Sequence, residues 1–184
     1  MERSERELAA RARRAYELGR LGFAARVLMY VVPIVALAFM SAAPATMGMV
    51  GIAGFLGIFA VGMIWYGGAP GRAVGPGLLA GMIPLVVSIV LRATDYCCMG
   101  GACSPLCLPV CMSAGLVAGI GVGLRASEET EGRSGFALSG VLFAALTGAL
   151  GCVGMGLWVV GGMAAALALA SAPLAAVGIR LRRG

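Results

Sequence analysis

No charged side chain interrupts the chain between Arg26 and Arg72, and none between Arg133 and Arg180. A helix needs roughly 20 apolar residues to cross a hydrocarbon layer, so each run is long enough for two crossings. Shorter uncharged stretches follow Arg72 and precede Arg125. The pattern predicts six spans, at about 27–43, 46–66, 74–91, 106–124, 136–156 and 157–179. Small and helix-breaking residues separate them. A turn over 41–46 closes the first hairpin, and a Gly/Pro-rich loop over 67–77 leads into the third span. The last uncharged run is divided near Gly156, with Trp158 at the outer interface. The expected fold is all-α: a polytopic membrane bundle over residues 27–184, preceded by a cytoplasmic amphipathic helix over residues 1–26.

The arginines set the orientation. Threading the spans alternately with the N-terminus in the cytoplasm leaves all of the 14 basic residues except Arg92 on the inner side. Positive residues near span ends resist translocation, so both termini are expected in the cytoplasm. Tyr30, Trp65 and Tyr66 then fall near the inner interface, and Tyr96 and Trp158 near the outer one, where an amphipathic ring keeps its polar atom wet.

Composition fits a lipid environment. Hydrophobic residues make up 60% of the chain and charged residues 12%, with a mean hydropathy of +0.97; a soluble domain carries about 25% charged residues. The net charge of +6 lies at the ends of apolar runs, so the expected counterpart is the anionic lipid headgroup, with no nucleic-acid partner. The chain has no Lys, His, Asn or Gln. Its skew toward Arg, Ala and Gly is that of a GC-rich genome and points to the inner (plasma) membrane of a bacterium.

The first 26 residues contain Glu2, Glu5, Glu7 and Glu17, which a cleavable export signal or a mitochondrial presequence would lack. The segment reads as a helix. Ser4 and Glu7 have capping-box spacing, and Glu2/Arg6, Arg3/Glu7 and Arg13/Glu17 have the spacing of helical ion pairs. Leu8, Ala12, Ala15, Gly19 and Phe23 form a weak apolar stripe. The segment is expected to be a solvated extension of the first span; lying on the inner leaflet or docking a partner is the alternative.

Cysteines carry the clearest chemical signal. Cys97, Cys98, Cys103, Cys107 and Cys111 cluster in or beside the loop expected outside the cytoplasm, and Cys152 completes an even set. In an oxidising compartment such thiols pair. All six are disulfide candidates, in a connectivity the spacing does not choose; adjacent Cys97 and Cys98 should reach different partners, because a bond between them closes a strained ring. Cys111, about one turn down the fourth span, and Cys152, about two-thirds of the way up the fifth, could meet at similar depth. Two further readings stand beside structural disulfides. Cys103, Cys107 and Cys111 recur every four residues, with Met99 and Met112 nearby, a donor set that suits a soft ion such as Cu(I). A redox-active thiol pair is the other.

Glycine spacing is the second pattern. Gly115, Gly119 and Gly123 recur every four residues on the fourth span, while Gly48, Gly51, Gly54 and Gly57 recur every three on the second, as Gly148, Gly151 and Gly154 do on the fifth. Ridges without side chains let helices approach closely. The predicted interior holds no ionisable side chain, which disfavours proton-coupled transport through the core. With no histidine, imidazole ligation of haem and Ser/His or Cys/His catalysis are excluded, and with no asparagine the Asn-Pro-Ala pair of six-span water channels is absent. Ser88, Ser113, Ser139, Thr147 and Ser171 should bond within their own helices or to a neighbour. Glu128, Glu129 and Glu131, with Arg125 and Arg133, read as a solvated inner turn. The expected role is non-catalytic and cofactor-free: an accessory or scaffold subunit that packs against other membrane subunits or copies of itself. A small passive channel or facilitator for an uncharged or soft-metal solute is the alternative, and a thiol-disulfide redox protein the third.

Overall fold

The computed structural model describes residues 2–41, 47–94, 107–152 and 157–180, and its regular secondary structure there is all α-helix. Six helices follow in order: α1 (Glu2–Ser41), α2 (Met47–Tyr66), α3 (Gly68–Ala93), α4 (Cys107–Glu128), α5 (Arg133–Cys152) and α6 (Leu157–Arg180). Four of them, α2 to α5, are long and apolar enough to cross a membrane. The apolar stretches of α1 and α6, Val27–Met40 and Trp158–Leu174, are shorter, although each helix continues beyond its stretch.

Two local expectations are corrected. No loop occupies residues 67–77: only Gly67, at φ 72°, separates α2 from α3, and the chain turns straight into helix at Gly68, φ 74°. Pro70 falls in the first turn of α3, where its missing N–H has no helical acceptor to lose. Pro76 and Pro84 sit inside the helix, and backbone without water around it has no better alternative than to stay helical. Ser4 is not an N-cap, because α1 already begins at Glu2; Glu2 and Glu5 lie in its first turn, where negative charge complements the helix dipole. Pro109 does not break α4 either, since it also occupies a first turn.

α3 pairs closely with α5 and α4 with α6, and contacts of α3 and α5 with α4 and of α5 with α6 close a four-helix core. α1 and α2 pack on the α3/α5 side. Val27, Val31, Ile34 and Ala38 of α1, at heptad-like spacing, meet Met49, Leu56, Ala60 and Ile64 of α2 and Val74, Leu78 and Leu85 of α3. Phe59 bridges this layer to α5: it stacks on Phe55 at 5.5 Å and leans on Phe143 at 5.4 Å. Large apolar side chains also cover the outside, among them Met40, Ile58, Leu79, Leu138, Trp158 and Leu169. Such a surface suits lipid better than water.

Candidate functional site: a buried thiol pair and the glycine seams

At the end of the bundle where α3 and α5 finish and α4 begins, Cys107, Cys111, Cys152, Val159 and Met163 form one buried cluster. Cys107 and Cys111 lie four residues apart on the buried face of α4, and Cys152 is the last residue of α5. The Cys152 thiol faces the Cys111 sulfur at 3.9 Å. Both are free and have no exposed surface. That separation is nearly twice a disulfide bond of about 2.05 Å, so these two disulfide candidates are an unbonded thiol pair. Cys107 is not free, and no two described cysteines are joined. Cys97, Cys98 and Cys103 lie outside the described residues, as do Met99 and Gly154. Among the described residues no group of three or more Cys, His, Asp or Glu side chains has metal-holding geometry.

Arg92, on the last turn of α3, lies at this end of the bundle: Gly151, the neighbour of Cys152, packs against the Ser88 side chain, one turn below Arg92. One Arg92 Nη is fully buried with no hydrogen-bond partner among the described residues. Nothing in the residue pattern announced this neighbour, because Arg92 reads as one solvated arginine at a span end.

The glycine ridge of α4 faces α6. A Cβ on Gly115 would stand 2.7 Å from the Met163 carbonyl oxygen and one on Gly123 2.9 Å from Leu174 Cβ, and one on Gly119 would collide with the Leu167 carbonyl. On α3, Gly77 and Gly81 meet α5 in the same way, at 2.8 Å from the Gly140 and Ala144 carbonyl oxygens. A Cβ on Gly148 of α5 would stand 2.8 Å from both Met163 Sδ and Pro84 Cγ. The α2 series behaves differently: a Cβ on Gly51, Gly54 or Gly57 would meet nothing within 4 Å, and Gly48 is exposed. The α3/α5 seam was missed in the sequence because the loop assigned to 67–77 hid the start of α3.

The polar groups of the spans turn inward on their own helices. Ser88 donates to the Leu85 carbonyl at 2.7 Å, Ser113 to Val110 at 2.8 Å, Ser139 to Gly135 at 2.5 Å and Ser171 to Ala168 at 3.1 Å. The Thr147 hydroxyl is buried with no partner. At the opposite end from the thiols, the α4–α5 connection is more than a solvated turn. The Arg133 guanidinium donates to the carbonyls of Ala126 (3.0 Å), Ser127 (2.7 Å) and Glu129 (3.2 Å), capping the C-terminus of α4, and Arg72 of α3 pairs with Glu129 at 2.9 Å. Arg125 pairs with Glu128 at 3.1 Å and Arg13 with Glu17 at 3.2 Å; the side chains of Glu2, Arg3 and Arg6 lie outside the description. Tyr16 and Gly19 of α1 line a cavity of about 460 Å³ with Ile64, Gly67, Gly71 and Arg72. The arginine-rich arm thus lies at the Arg72 end of the bundle.

No protein-family model, curated protein or solved structure matches the chain.

Proposed function

We propose that this chain is a six-span inner-membrane protein with both termini in the cytoplasm, acting as a non-catalytic accessory or scaffold subunit of a larger membrane assembly. The supporting observation is how the glycine surfaces are used. The α4 ridge is consumed inside the chain by α6, and the α3 ridge by α5, whereas the glycines of α2 are uncovered beside exposed Val50, Phe55 and Ile58. Helices in lipid associate by close van der Waals packing at such surfaces, so α2 is the face left for another subunit or a second copy. Backbone contact along the α3/α5 and α4/α6 seams leaves those seams no room for a pore, which weighs against a passive facilitator.

The gathering of Arg72, Arg125 and Arg133 with the arm at one end supports an inner face there. A disulfide-braced outer loop at the other end, drawing on the cysteines clustered there in the sequence, belongs to the same proposal. Purification from native membranes in mild detergent tests the scaffold role: stoichiometric partner chains or self-association are expected, and Gly54→Leu should release them. Solute flux in liposomes containing only this chain would instead establish the facilitator.

A further inference from the structure

We propose that Cys111 and Cys152, with the Met163 thioether below them, form a binding site for a monovalent soft cation, Cu(I) or Ag(I). The site does not depend on the scaffold role. Two free thiols held side by side in a buried apolar cluster are soft donors, and thiolate and thioether sulfur select Cu(I)-type ions. Their spacing fits. With a metal–thiolate bond of about 2.3 Å, two sulfurs stand about 4.6 Å apart on a linear ion and about 4 Å apart on a trigonal one. The observed 3.9 Å therefore asks for a third donor. Met163, in the same buried cluster, is the candidate: its side chain runs between Gly115 and Gly148, each one turn in from a thiol-bearing position, and its thioether would reach the ion by turning outward over about one turn, roughly 5 Å.

Charge selects the ion. Binding releases one proton from each thiol, and the bis-thiolate complex of a monovalent cation carries a single negative charge. The Arg92 guanidinium, whose buried Nη has no partner, neutralises it. A divalent ion such as Zn²⁺ would leave a net positive charge in a low-dielectric site and would need four ligands. A Cys111–Cys152 disulfide would leave the Arg92 Nη as unpaired as before.

The test uses the full-length chain in detergent, purified without oxygen and reduced with a phosphine, titrated with Cu(I) against a chromogenic Cu(I) chelator. Other cysteines contribute binding, so the readout is a difference: the unsubstituted chain should hold one equivalent more than Cys152→Ser, or than Cys152→Ala if serine disturbs folding. Arg92→Gln should weaken that equivalent about tenfold. On the unsubstituted chain, one equivalent of Ag(I) should protect the peptides bearing Cys111 and Cys152 from maleimide alkylation. Equal Cu(I) binding by the unsubstituted chain and the Cys152 variants, absence of Ag(I) protection, or recovery of Cys111 and Cys152 as a cystine from the anaerobic, unreduced protein would each overturn the site.

Discussion

Arg133 shows how much one side chain can do at a helix end. The last carbonyls of a helix have no internal acceptor role, and a guanidinium with several fixed donors is well shaped to satisfy them. Arg133 covers three at once. Each charge-assisted bond contributes about 1.5–3 kcal/mol when its acceptor is shielded from water, and less here, where the side chain is only half-buried. Arg133→Gln is expected to cost about 1–3 kcal/mol, read as a lowered thermal midpoint in detergent. Arg125→Gln should stay within about 0.5 kcal/mol, because both members of its pair with Glu128 are two-thirds exposed. Thr147 is the converse case, a buried hydroxyl with nothing to bond. Thr147→Val removes that unmet group at nearly the same shape and should raise the same midpoint by the equivalent of about 1 kcal/mol; a fall would mean the hydroxyl has a partner after all.

Among the elements, identical glycines have opposite consequences. Every helical glycine weakens its helix by about 0.5–1 kcal/mol relative to alanine. On α2 nothing offsets this within the chain, so Gly51→Ala should stabilise the isolated protein by about that amount. On α4, a methyl at Gly119 would meet the backbone of α6, and backbone does not yield as a flexible side-chain tip does. Gly119→Ala is expected to destabilise by about 1–3 kcal/mol, and the two variants should move a denaturation midpoint in opposite directions. The periodicities of both seams were legible in the residues. Which seam finds a partner was not, because a ridge states how closely a helix can be approached and says nothing of what approaches it. The start of α3 was misread for a related reason: Gly67 to Gly71 with Pro70 and Pro76 looks like a loop only if water is present to hydrate the freed backbone. The depth match of Cys111 and Cys152 followed from counting helical rise along two antiparallel spans, whereas Arg92 beside them depends on how α3 is turned, which no periodicity encodes.

For the whole molecule, the charge asymmetry on which the proposed orientation rests is also built into its contacts. Arg72 reaches from α3 to Glu129 beyond α4, Arg133 caps α4 from the start of α5, and the α1 arm comes to the α2–α3 corner beside Arg72. These arginines converge at one end of the bundle, while Arg92 sits at the other, the thiol end, with one Nη buried. Reversing the proposed topology would carry the larger group across the membrane and put the cysteine end in a reducing compartment, where loop disulfides would not persist. The proposed orientation and the proposed disulfide bracing therefore stand or fall together. A green fluorescent protein fused after Gly184 should fluoresce, and alkaline phosphatase fused at the same point should be inactive. Phosphatase inserted after Thr94, at the end of α3, should be active. The reverse pattern would place the Arg72 end outside; the arginine contacts would survive that result as packing, but the proposed disulfide bracing would lose its oxidising compartment.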